Sequence, residues 1–100
     1  MLYCKEPIQR VGPVKEGQPC HIVFKVENTG EETYTNLQPW KSCGCSEPTV
    51  LSSTIKPGEI IGLHVEFDTL GRPGINEKSV GLYYGDKNKL TVKFIAEVIK

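Results

Sequence analysis

Leu90-Thr91-Val92-Lys93-Phe94-Ile95-Ala96-Glu97-Val98 is the stretch that decides the fold. Leu90, Val92, Phe94, Ala96 and Val98 alternate with Thr91, Lys93 and Glu97, the period of a strand with one face on a core. Ile95 and the following Ile99 put apolar side chains on the outer face, which predicts that this face is partly covered. The same period recurs upstream. Val80, Leu82 and Tyr84 form one inward set. Ile61, Leu63, Val65 and Phe67 form another, with Gly62, His64 and Glu66 outward. Between Cys20 and Glu27, the residues Cys20, Ile22, Phe24 and Val26 point in, and His21, Val23, Lys25 and Glu27 point out. Helical periodicity is nowhere found.

Turn chemistry separates these runs. Asn28-Thr29-Gly30 ends the first clear strand. Lys56-Pro57-Gly58-Glu59 places Pro and Gly at the centre of a type II turn, where Pro presets φ and Gly accepts a positive φ. Gly71-Arg72-Pro73-Gly74 reads as a longer loop and Gly85-Asp86-Lys87-Asn88 as a hairpin connection. Short strands at this spacing predict an all-β sandwich or barrel. The least regular strand is expected at about Thr33 to Lys41. Pro39 removes a ladder donor there, which implies an edge position or a bulge. Trp40 is expected to cover a core or sheet and to shield the nearby cysteines.

The chain has 100 residues, the size of one domain, and residues 1–100 show no repeat or second domain. Its 12 basic and 12 acidic residues cancel. That argues against a nucleic-acid or acidic-lipid binder, since phosphate binding draws on excess positive charge. Lys87, Lys89 and Lys93 cluster, but as a solvated strand face and turn. No run approaches the ~18 apolar residues of a membrane span, and no signal-peptide pattern precedes the first strand. These features fit a cytosolic protein or a mature extracytoplasmic domain. Cys4 stands where a lipoprotein cysteine would, but Tyr3 before it fits that pattern poorly.

The chemistry-bearing residues are few. The 4 cysteines are Cys4, Cys20, Cys43 and Cys45, and sequence alone leaves their pairing open. Cys43 and Cys45 flank Gly44 in Ser42-Cys43-Gly44-Cys45-Ser46. If consecutive strands are antiparallel neighbours, Cys20 lies at the same end of the sandwich as this loop. Three readings follow. Cys43 and Cys45, with Cys20 as a third ligand, suit Cu(I) or Zn(II). Cys43 and Cys45 form a redox pair, or Cys20 pairs with one of them as a structural staple. Otherwise the cysteines simply pack, the bland reading for Cys4 and Cys20. No Cys-x-x-Cys helix start is present to lower a thiol pKa. His21 and His64 fall on outward faces, His64 beside Glu66, with no nucleophile elbow or anion loop. Glu31 and Glu32 lie in a turn. No catalytic residue is assigned.

Four short motifs occur in order: Asn28-Thr29-Gly30-Glu31-Glu32, Ser42-Cys43-Gly44-Cys45-Ser46, Pro57-Gly58-Glu59, and Phe67-Asp68-Thr69-Leu70-Gly71-Arg72-Pro73-Gly74. With Gly12-Pro13-Val14-Lys15-Glu16-Gly17 upstream, they resemble the domain of unknown function 1573 family over nearly the whole chain. That family is an Ig-like group related to the ASPM/SPD-2/hydin and major-sperm-protein domains. The resemblance implies an Ig-like sandwich of seven or eight mostly antiparallel strands. It makes Gly12 to Gly17 the entry to the second strand. It also implies a bacterial protein, exported or envelope-associated, with no established enzyme activity. Asn36 and Pro39 stand where the family usually has aliphatic residues.

The expected function is a non-enzymatic interaction or structural module of a bacterial envelope or exported protein. It needs no cofactor and binds an unspecified protein partner, with the Pro39 strand as the candidate surface for β-addition. The alternative is a copper- or zinc-binding or thiol-redox protein using Cys43 and Cys45. A periplasmic, envelope or secreted location follows from the resemblance, with the cytoplasm as the alternative.

Overall fold

The computed structural model describes residues 1–100 and contains eight strands: β1 (Leu2–Cys4), β2 (Ile8–Lys15), β3 (Cys20–Asn28), β4 (Gln38–Lys41), β5 (Ser46–Val50), β6 (Ile60–Phe67), β7 (Gly74–Tyr84) and β8 (Asn88–Ile99). They form two four-stranded sheets, ordered β1-β3-β6-β5 and β2-β8-β7-β4. Every pairing is antiparallel except β2 with β8. No helix is long and apolar enough to cross a membrane.

The alternating residues form the core between the sheets. Cys20, Ile22, Phe24 and Val26 of β3 meet Val92, Phe94, Ala96 and Val98 of β8, all buried. Phe67 of β6 and Phe94 of β8 join the sheets edge to face, with centroids 5.3 Å apart. The outer face of β8 is half-covered at Ile95 and exposed at Ile99.

The turns follow their residues. Gly58 has φ 79° and Glu59 N donates to Lys56 O, the type II pattern. Asn28 is fully buried at the end of β3. Its Nδ2 donates to Glu32 O and Ile55 O, and its Oδ1 accepts from Gly30 N. The Asn28-Thr29-Gly30 turn is thus tied to the segment before β6.

Proline sorts edge from centre. Edge strands β2, β4 and β5 carry Pro13, Pro39 and Pro48, and the central strands β3, β6, β7 and β8 carry none. The fourth edge strand, β1, is only 3 residues long. Ser42 N donates to Ser79 O, so alternation along β4 turns the nitrogen of Pro39 away from β7. Asp68 N donates to Cys45 O, and the same alternation turns the nitrogen of Pro48 away from β6. Each missing N–H therefore costs no ladder bond and blunts an edge.

Three sequence expectations need correction. The strand expected over Thr33 to Lys41 is confined to Gln38–Lys41. Asn36 takes φ 55°, and Tyr34 makes an isolated bridge to Ile55, so residues 33–37 wrap as a loop. Gly12 and Pro13, expected at the entry to the second strand, lie within β2, at the point where its register with β8 shifts between Val11 and Val14. The strand after β3 is not its neighbour: β4 pairs with β7 in the other sheet. Strand β5 escaped sequence reading because Glu47 and Thr49 alternate with Ser46 and Pro48, which supply no hydrophobic period.

Candidate functional site

Cys43, Gly44 and Cys45 form the link from β4 to β5, where the chain passes between sheets. Both ends of the link are pinned. Ser42 exchanges hydrogen bonds with Ser79 of β7, through Ser42 N to Ser79 O at 3.0 Å and Ser79 N to Ser42 Oγ at 3.1 Å. Cys45 O accepts from Asp68 N at 2.9 Å. The two cysteines are joined by a disulfide, with Cα atoms 5.3 Å apart. Cys43 is half-buried and Cys45 is buried. Cys43 Sγ accepts from Cys45 N at 3.3 Å and lies 3.9 Å from Ser46 Oγ.

Cys20 does lie at this end, through a different neighbour from the one expected. Phe67 of β6 pairs with Cys20 on one side and Ser46 on the other. Two strand spacings, about 9–10 Å, therefore separate Cys20 from Ser46. A disulfide needs Cα atoms within about 7 Å, so the expected staple from Cys20 gives way to the Cys43–Cys45 bond. Cys4 pairs with Val26, six residues along β3 and about 20 Å from Cys20. No group of three or more His, Cys, Asp or Glu side chains gathers at a metal-binding geometry, and Cys20 stands apart from the Cys43–Cys45 pair.

A disulfide spanning so short a loop does less for the fold than a long-range staple would. Chain-entropy reasoning gives roughly 1.6 kcal/mol for a three-residue loop against about 3 kcal/mol for fifteen residues. Hydrogen bonds at both ends of the link hold it as well.

Cys4 and Cys20 are buried free thiols, and burial raises the pKa of each. A thiol whose folded pKa is raised favours folding only while the unfolded thiol is also protonated. The contribution of these thiols is therefore fully present below about pH 8.5 and is lost as pH rises from there through the folded pKa. Equilibrium unfolding across pH 7–10 is expected to show this fall, and Cys20→Ala to flatten it. Thiol titration of the unreduced folded protein should find no fast thiol, and unfolding should expose two.

The histidines lie as expected. His21 pairs with Glu66, which pairs with Glu47, and Val23 pairs with His64, which pairs with Thr49. All four His and Glu side chains are exposed on the outer face of the β1-β3-β6-β5 sheet, where Glu47 also meets Lys41 Nζ at 3.1 Å. Glu31 and Glu32 are exposed in the turn after β3.

Trp40 covers the other outer face and lies over Gly81, not over the cysteines. Its Nε1 donates to Leu90 O at 3.3 Å, Tyr83 packs at 6.3 Å, and Lys89 Nζ sits 4.2 Å from the ring centroid. Lys93 pairs with Glu77, so the lysine cluster is partly engaged within the sheet. A Cβ on Gly81 would collide with the Leu90 carbonyl oxygen and lie 2.8 Å from Trp40 Nε1. Gly81→Ala is expected to displace the indole, red-shift its emission and lower the Tm by more than about 5 °C. Unchanged emission would refute this packing.

Sequence reading missed two features. Thr69 is buried, and its Oγ1 donates to Gln18 O at 2.7 Å and accepts from Gly17 N at 2.9 Å, joining the β2–β3 turn to the loop after β6. Its motif marked the position without a role. The second is an open edge. β1 covers β3 only at Val26 to Asn28 before the chain crosses to the other sheet. Thr29 N donates to Met1 O, and Gln9 Nε2 donates to Val23 O. Odd-numbered residues of β3 therefore turn their backbone groups away from β6, and those of His21 and Val23 face no strand.

Comparison with known proteins agrees with this architecture. A family model described as "Protein of unknown function (DUF1573)" matches residues 2–98. The fold is similar to the ASH/PapD-like domain of human CEP192 (PapD-like domain 7), with TM-score 0.78 and 11% identity, covering 99% of this chain and 85% of that one. It is also similar to part of the VesB protease of Vibrio cholerae, with TM-score 0.73 and 17% identity over 96% of this chain and 31% of that one. The secreted serine protease VesC of Vibrio cholerae gives TM-score 0.60 at 7% identity, over 89% of this chain and 21% of that one. At such identities the likeness is one of fold, an Ig-like β-sandwich. No curated protein matches the chain in sequence.

Proposed function

We propose, from the premise that the chain belongs to the DUF1573 family, that it is a non-enzymatic Ig-like interaction module of a bacterial envelope or exported protein. The observation that carries this reading is the edge of β3 at His21 and Val23, which no strand covers and where Val23 O is engaged by the Gln9 side chain. An extended peptide adds to such an edge through main-chain hydrogen bonds, and alternate side chains select it. This reading puts the docking site on β3 in place of the β4 strand, and Pro39 and Pro48, which withhold donors from the opposite edges, support that choice. The edge of β3 is free of proline, and exposed His21, Val23 and Lys25 flank it on one face. The family resemblance supports an envelope or exported location. So does the Cys43–Cys45 disulfide, since such bonds persist in oxidising compartments.

Val23→Pro tests this reading. The substitution removes an N–H that points to the open side and leaves the β3–β6 ladder whole. Cross-linking and affinity capture from envelope extracts should lose partner recovery at least tenfold, with the Tm held within a few degrees. Pro39→Val, which restores a donor at the other edge, should leave recovery unchanged. Full recovery with Val23→Pro would reject the β3 edge as the docking site.

A further inference from the structure

We propose that Cys43 and Cys45 form a thiol–disulfide exchange site, with Cys43 as the sulfur that bonds to the partner and Cys45 as the resolving sulfur. This goes beyond the interaction reading and rests on a different part of the molecule. Three observations carry it. The disulfide lies in an accessible loop: Gly44 is exposed, and nothing lies within 4 Å of where its side chain would be. The two cysteines differ in burial, Cys43 being half-buried and Cys45 buried. The loop is pinned to β7 through Ser42 and to β6 through Cys45, so the thiols stay adjacent when the bond opens.

Electrostatics favours the same assignment. In the dithiol form, a Cys43 thiolate keeps the Cys45 N–H directed at it and the Ser46 hydroxyl close by. Hydrogen bonds to a charged form stabilise that form. Cys4 and Cys20 lie buried with raised pKa values, so they do not compete.

The exchange balances with a thiol or a disulfide as co-reactant. In the reducing direction, a partner thiolate attacks Cys43 Sγ, the Cys43–Cys45 bond breaks, and Cys45 leaves as a thiolate that takes a proton from water. A second partner thiolate then attacks the partner sulfur of the mixed disulfide and releases Cys43. Two partner thiols become one disulfide, and two electrons and two protons end on Cys43 and Cys45. The oxidising direction of the partner's dithiol is the same path, and a reduced Cys43 thiolate attacks a partner disulfide by its reverse. The substrate class is a solvent-facing thiol or disulfide, of low molecular weight or on an extended protein segment.

Glutathione is the probe. The folded full chain is equilibrated in reduced and oxidised glutathione, quenched by alkylation and mapped by mass spectrometry. The Cys43–Cys45 bond should interconvert with the dithiol without denaturant, while Cys4 and Cys20 stay unmodified. Cys45→Ser should accumulate glutathione on Cys43, at least tenfold faster than Cys43→Ser accumulates it on Cys45. Should either variant fail to fold by circular dichroism, the order of alkylation after partial reduction of the unaltered protein decides, with Cys43 ahead of Cys45. A disulfide that resists glutathione until the protein unfolds would overturn the proposal, as would modification of Cys45 at a rate equal to that of Cys43. Val23→Pro should leave this exchange unchanged, so failure of the strand-edge reading is read separately.

Discussion

Phe94→Ala is expected to lower the unfolding free energy by about 3–5 kcal/mol, a fifth or more of the roughly 5–15 kcal/mol of a typical domain. Phe94 is completely buried at the centre of β8 and meets Phe67 edge to face across the two sheets. Truncation removes apolar burial and leaves a cavity that two hydrogen-bonded sheets cannot close by collapse. Urea denaturation at 25 °C checks it, through a lowered midpoint with an unchanged slope. A double-mutant cycle with Phe67→Ala should show coupling of about 0.5–1.5 kcal/mol for the ring pair. A loss below 1 kcal/mol would mean that this ring pair does not join the sheets.

Asn28→Ala is expected to cost roughly 3 kcal/mol, because it orphans buried groups, each worth about 1–3 kcal/mol when left unpaired. Asn28 is fully buried, and its amide spans three backbone partners at Gly30, Glu32 and Ile55. Only an amide both donates twice and accepts here. Asn28→Asp keeps the acceptor for Gly30 N but brings a carboxylate against two carbonyl oxygens, so it should be no better tolerated. Denaturation measures the loss, and amide exchange at Gly30 should accelerate in step with it. A variant as stable as the parent would show that water replaces the side chain.

The central strands were legible because their signal is local. Alternation in Cys20–Val26, Ile61–Phe67 and Leu90–Val98 marks the buried face directly, and that face is buried or half-buried at every position. The Pro57-Gly58 turn was legible because φ preferences act within a few residues. The edges were less so. β1 is too short for a period, β5 is built on serine and proline, and the first half of β7 is largely polar with Ile75 exposed. The candidate site was half legible. The spacing of Cys43 and Cys45 singled them out, and Cys20 was expected at the same end, though through β4 and not through β6. Their union with each other, and the separation of Cys20, depend on which strand lies beside which.

What the sequence by itself determined, then, is the all-β class, the inward faces, the turn positions and the prominence of Cys43-Gly44-Cys45. All of these rest on interactions within a few residues of chain. Only the tertiary structure decided the order of strands in each sheet, the burial of Cys45 against the access of Cys43, and the uncovered stretch of β3. These follow from contacts between residues far apart in the chain. The short β1 leaves β3 before covering it, and β6 lies between Cys20 and the cysteine loop.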